Sequence, residues 1–157
     1  MAKAADVALQ PDMTFREAAA LSVGVRAREL WEHSENVLDT EDIERVHAMR
    51  VATRRLRAVL EIFAPAFPKA RHKLVLTEVK RLADALGERR DPDVQLEALA
   101  ALESAMGEAE RPGLELFADR IRAEQQGGNE QLAAALQHAE TIDLRGELQE
   151  LVAEVSR

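Results

Sequence analysis

The stretch VHAMRVATRRLRAVLEIF (46–63) decides the fold. On a wheel of about 100° per residue starting at His47, Arg50 falls near 300°, Arg54 near 340° and Arg57 near 280°. Met49, Leu56, Leu60 and Phe63 fall between roughly 160° and 220° on the same wheel, with Ala52 and Val59 beside them. One side is apolar and buries; the other presents an imidazole and a row of guanidiniums. Arg55 falls near 80°, off the stripe and flanking it. A one-sided apolar stripe of this period belongs to a helix covered by other helices.

Working outward, the punctuation stays helical. Thr14 and Glu17 have capping-box spacing, and Phe15, Ala19, Leu21, Val25, Leu30, Trp31 and Leu38 recur near helical spacing, predicting a first helix over about 14–36. Thr40 is the expected cap of the second helix, with Glu41 and Asp42 at the positive end of its dipole. Pro65 and Pro68 stop that helix near Phe63, because proline cannot continue the hydrogen-bond ladder.

A third helix is expected from about Lys69 to Leu86, with Gly87 as its terminating residue. Asp91 and Pro92 then read as N-cap and first residue of a fourth, ending around Met106 and Gly107. Pro112 starts a fifth, with Gly127 and Gly128 as a possible break, and a short sixth covers about 143–155. Strand-like alternation is absent. The fold class read from this pattern is all-α: an up-and-down helical bundle with short loops. Residues 1–12 read as a flexible lead-in and residues 13–157 as a single helical domain.

Composition agrees. The chain has 157 residues, 46% of them hydrophobic, which suffices for one domain with a real core. Only 3% are aromatic, and a core of Leu, Ala and Val favours helices over sheets. Cysteine is absent, which excludes disulfides, thiolate metal sites and cysteine nucleophiles. No apolar run approaches the ~18 residues of a membrane span. The first residues lack the apolar core of a signal peptide, so the expected setting is cytoplasmic and away from membranes.

The net charge of -8 and the pI of about 5.1 argue against a generic nucleic-acid coat. That average hides an asymmetry. Ile43 through Val94 carry 12 basic and 7 acidic residues, a local +5, whereas the remaining 9 basic and 22 acidic residues give -13. From His47 through Ile62 the one acid is Glu61, and no Lys occurs on that helix. A solubilising helix face usually alternates the two signs. Arginine's planar fork suits phosphate oxygens, so a polyanion ligand is the natural reading. Lys69, Lys73 and Lys80 fall within about 40° of one another on the third helix and extend the track or coat its outside. Arg89 and Arg90 are expected in the loop before the fourth helix, close to its anion-favouring N-terminus.

These residues carry a resemblance. VHAMRVATRRLRAVLEIF (46–63) followed by EVKRLADALGERRDPDV (78–94) strongly resembles the CHAD family, the conserved histidine α-helical domain. The positions that match are His47, Arg50, Val51, Arg54, Arg55, Leu56 and Arg57, then Lys80, then Leu86, Gly87, Arg90, Asp91, Asp93 and Val94. The resemblance implies two helical bundles about an approximate two-fold axis, a basic central surface, and binding of inorganic polyphosphate. Some members associate with polyphosphate granules. By this matching, His47, Arg50, Arg54, Arg55, Arg57, Lys80 and Arg90 line the anion surface; Lys73, on the same stripe as Lys80, joins them as a candidate. A second His- and Arg-rich helix is missing after residue 95, so the chain resembles the N-terminal half. A homodimer would rebuild the two-bundle unit across a two-fold axis.

Other classes fit less well. No phosphate loop, serine nucleophile motif or carboxylate dyad is present, so no catalytic residue is assigned. His33, His47, His72 and His138 lack metal-ligand spacing, and no metal or cofactor is expected. The alternatives to polyphosphate are an RNA or DNA phosphate backbone, or a helical scaffold for a protein partner. Single-strand binders stack bases on aromatic side chains, and none lies between His47 and Ile62, which disfavours nucleic acid.

Overall fold

The structure is a computed structural model that describes residues 3–157; residues 1 and 2 of the lead-in lie outside the described residues. Among the described residues five α-helices follow one another, α1 (Phe15–Glu32), α2 (Ile43–Ile62), α3 (Lys69–Glu103), α4 (Arg111–Thr141) and α5 (Leu144–Ser156), with a 3₁₀ turn over Ala64–Ala66. No strand occurs among the described residues, so the all-α bundle stands.

Helix α2 lies between α1 and α3, α4 runs back along α3, and α5 returns to α1. The apolar stripe read from the sequence is the part of α2 that is covered: Met49, Ala52, Leu56 and Leu60 are all buried. Met49, Leu56 and Leu60 meet Val23 and Leu30 from α1, Val75, Val79, Leu82 and Leu86 from α3, and Leu148 and Leu151 from α5 in one core. Each fully buried Leu of this kind contributes on the order of 1.5–3 kcal/mol of transfer free energy. His72 belongs here too. It is buried, with Nε2 2.7 Å from the Leu60 carbonyl oxygen, tying the start of α3 to the end of α2.

The start of α1 follows its capping box. Thr14 Oγ1 accepts from the Glu17 amide at 3.2 Å, and the Thr14 amide donates to Glu17 Oε2 at 2.7 Å. The amide and hydroxyl of Thr14 hold the Glu17 carboxyl below its ordinary range. The helix stops at Glu32, earlier than its apolar spacing predicts. Residues 33–38 form turns, with Asn36 in the left-handed region at φ 53°, where Asn is among the few tolerated side chains.

Thr40 does not cap α2. Asp39 Oδ1 accepts from the Glu41 amide at 2.9 Å, closing a local turn over those residues, and the cap passes to Asp42. Asp42 makes no side-chain cap bond; its carboxylate pairs with Arg45 at 3.0 Å instead.

The larger difference is in α3, which runs unbroken for 35 residues through Gly87, Asp91 and Pro92. Gly87 does not terminate a helix, Asp91 is not an N-cap, and Arg89 and Arg90 are helical. An interior proline costs about 3 kcal/mol because it removes one ladder bond, here the one to the Glu88 carbonyl. Tertiary contacts span the same turn. Arg89 and Asp93, one turn apart and both essentially fully buried, bond to each other at 2.5 Å. Arg89 Nε also donates to Asn129 Oδ1 at 3.1 Å, and Gln125 Nε2 donates to Asp93 Oδ1 at 2.6 Å. Gly128 presses against the same place, where a Cβ would lie 3.1 Å from both the Glu88 oxygen and the Arg89 Cα.

Helix α4 is likewise continuous through Gly127 and Gly128 over 31 residues. The glycines read as a break permit a close crossing, because without a Cβ the two backbones approach. Asp143, at φ 50°, then turns the chain and caps α5, accepting from the Gly146 amide at 3.1 Å.

Candidate anion-binding face

With the apolar side of α2 in the core, its opposite side reaches solvent. Arg54 and Arg57 are exposed, and His47 and Arg50 are half-buried. At ~1.5 Å per residue, His47, Arg50, Arg54 and Arg57 form a line roughly 15 Å long with successive groups about 4.5–6 Å apart.

Among the described residues, Arg50, Arg54 and Lys73 make no ion pair. The acid of this face, Glu61, is shared: its Oε1 lies 3.1 Å from Arg57 Nε and 3.3 Å from Lys80 Nζ. The hydrogen bond from Arg57 and the charge and bond of Lys80 keep the Glu61 carboxyl below the usual carboxylate range. Sequence periodicity could not say whether the lysines of α3 join the track. The Glu61 bridge brings Lys80 beside Arg57. Lys73 is exposed, about two turns nearer the start of α3 on the stripe of Lys80.

Two candidates are placed elsewhere. Arg55 points toward α1, where its Nη1 is 3.8 Å from Glu29 Oε1. Glu29 is buried and also receives hydrogen bonds from the Ala5 amide and, at 2.6 Å, from Arg26. Burial alone would raise the Glu29 pKa, but these bonds and the two arginine charges outweigh it and lower it. Arg90 lies ten residues beyond Lys80 and about 80° around α3 from it. Its side chain is only 13% exposed and sits 3.6 Å from Glu97, so it is not on the open stripe.

Sequence reasoning placed Arg89 in a loop beside a helix N-terminus and missed its burial: it is helical and, among the described residues, the largest fully buried side chain. Its network with Asp93, Gln125 and Asn129 continues through Asn129 Nδ2, which donates to the Leu38 carbonyl at 3.1 Å. The network thus links α3, α4 and the turn leading into α2. Its sequence signal was the four-residue spacing of Arg89 to Asp93 and of Gln125 to Asn129, which sets each pair on one helix face.

No group of three or more His, Asp or Glu side chains is arranged to hold a metal ion among the described residues. Nor is any helix among them long and apolar enough to cross a membrane.

Fold and face together define an all-helical bundle with one cationic helix side. A family model described as the CHAD domain matches residues 23–157, and the chain belongs to that family. No curated protein and no solved structure matches the chain.

Proposed function

We propose that this chain is a non-catalytic binding module for inorganic polyphosphate, with His47, Arg50, Arg54 and Arg57 as the central track and Lys80 and Lys73 beside it. The observation that carries the reading is that, among the described residues, Arg50 and Arg54 make no ion pair, on a helix side whose one acid is already held by Arg57 and Lys80. Like charges held in line repel one another, and a polyanion laid along them relieves that repulsion. Arg50 and Arg54 supply planar donor forks, about one helical turn apart, to successive phosphate groups. Arg55 and Arg90 take supporting places in this reading, at the α1 contact and at the base of the α3–α4 pair.

Polyphosphate is favoured over nucleic acid because no aromatic side chain lies along the arginine track from His47 through Ile62. Phe63, at the end of α2, is half-buried with its ring centroid 5.2 Å from that of Phe15, and Phe67 is buried against His72. A phosphate chain without bases needs no aromatic stacking platform. Competition at fixed ionic strength tests the reading, with long-chain polyphosphate, short polyphosphate, single-stranded RNA and heparin as competitors. Preference for the long phosphate chain supports it. Equal displacement by all four polyanions reduces the face to non-specific attraction.

A further inference from the structure

Helix α1 turns toward α5 a side that its own residues leave hollow. Glu17, Ala20, Gly24, Ala27, Arg28 and Trp31 recur at three- and four-residue spacing and so share that side. Leu148 and Val152 of α5 face it, with α5 held in place by Leu151 and Val155 in the core. The two helices run antiparallel. Arg16 Nη2 donates to the Glu154 carbonyl at one end, at 3.3 Å, and Trp31 lies with Arg145 at the other. Ala20, Gly24 and Ala27 are too small to fill the space between the helices, and a groove of about 540 Å³ remains, within the size range of small-molecule sites.

The groove is long and narrow. From Glu17 to Trp31 it follows α1 for roughly 21 Å, which leaves a section of about 25 Å². An α-helix, about 10 Å across, needs roughly three times that section, whereas an extended hydrocarbon chain, about 4–5 Å across, lies within it. Leu21, Leu148 and Val152 make the walls apolar, as such a chain requires. The charges are unevenly spread. Arg28 and Arg145 stand at the Trp31 end, both exposed, and neither makes an ion pair or hydrogen bond among the described residues. The Trp31 Nε1 hydrogen, buried at the same end, meets no acceptor among the described residues. Glu32, one turn beyond Arg28, does not line the groove, and the Asp143 carboxylate is held by the Gly146 amide. At the opposite end the Glu17 carboxylate is taken up by Thr14.

We infer that the α1–α5 groove binds a single-chain amphiphile with an anionic headgroup, a fatty carboxylate or an alkyl phosphate, its chain between the helices and its headgroup at Arg28 and Arg145. Two guanidiniums with no acid between them present donors only, and a carboxylate or phosphate presents acceptors only. The narrow section admits one chain, and burial along the apolar walls adds affinity with each methylene. No groove residue belongs to the track from His47 to Arg57, so the inference stands independently of the polyphosphate reading.

Trp31 is the chain's one tryptophan, so its fluorescence reports on the groove. It is titrated with octanoate, decanoate, dodecanoate and dodecyl phosphate, each below its critical micelle concentration, with dodecyltrimethylammonium as the cationic control. Wild type is expected to give saturable binding that tightens about twofold to fourfold per added methylene. The tighter of the two dodecyl anions identifies the headgroup. Arg28→Gln/Arg145→Gln, at two exposed positions, should weaken both anions at least about tenfold. Gly24→Leu fills the groove and should abolish binding with helical circular dichroism unchanged, since a Cβ there meets Val152 Cγ1 at an ordinary 3.9 Å. An unsaturable signal, equal binding of the cation, or either variant binding as wild type does overturns the inference. A wild-type dimer in sedimentation velocity that Gly24→Leu makes a monomer also overturns it, assigning the groove to a second copy.

Discussion

Glu61 on α2 reaches across to Lys80 on α3, 3.3 Å from its ammonium, while the same oxygen holds Arg57 at 3.1 Å. One carboxylate thus fixes the two helices' cations side by side and also competes with any anion for them. Glu61→Gln should therefore strengthen polyphosphate binding, by about threefold for loss of one exposed competing charge. Fluorescence titration at two salt concentrations checks this, and the gain should shrink at the higher one.

Glu29 supports the fold rather than the face. Its carboxyl titrates below the ordinary 4.5, despite burial, because of the Ala5 amide and of Arg26 and Arg55. A folded-state pKa below the unfolded value adds stability that is present above about pH 4.5 and is lost as pH falls through the lower folded value. Glu29→Gln should cost about 1–3 kcal/mol near neutral pH. Urea denaturation should show the gap to wild type narrowing in acid below that window.

The two adjacent glycines of α4 separate packing from propensity. Alanine at Gly127 meets nothing within 4 Å, so Gly127→Ala should stabilise by about 0.5–1 kcal/mol through helix propensity alone. Alanine at Gly128 would press on the α3 backbone at 3.1 Å, so Gly128→Ala should destabilise by about 1–3 kcal/mol. Thermal melts of the two variants should shift in opposite directions.

Arg89 and Asp93 form a buried pair at the turn that contains Pro92. Removing one partner leaves an uncompensated charge in the interior, so Arg89→Ala should cost about 3–5 kcal/mol. Hydrogen exchange should report lost protection in α3 on both sides of Pro92 and in α4 around Asn129.

These contacts show where the sequence was legible. The two sides of α2 were readable because helical period sorts residues by angle, and burial followed that sorting. The capping box at Thr14 was readable because it closes within three residues. The ends assigned around Gly87, Pro92 and Gly127 were not, because local preference there is overruled by partners 32 to 40 residues away along the chain. Arg55 and Lys80 illustrate the same limit at the candidate face. Period fixes the direction in which each leaves its own helix, but Glu29 on α1 and Glu61 on α2 decide what each meets.

The central claim is that Arg50 and Arg54 present an open anion track. Isothermal titration of long-chain polyphosphate into wild type and Arg50→Ala/Arg54→Ala, at one physiological salt concentration, tests it most directly. Loss of two charge-assisted phosphate contacts should weaken binding by at least about tenfold, with helicity and melting temperature unchanged. Equal affinity of the two proteins for the phosphate chain would contradict the claim.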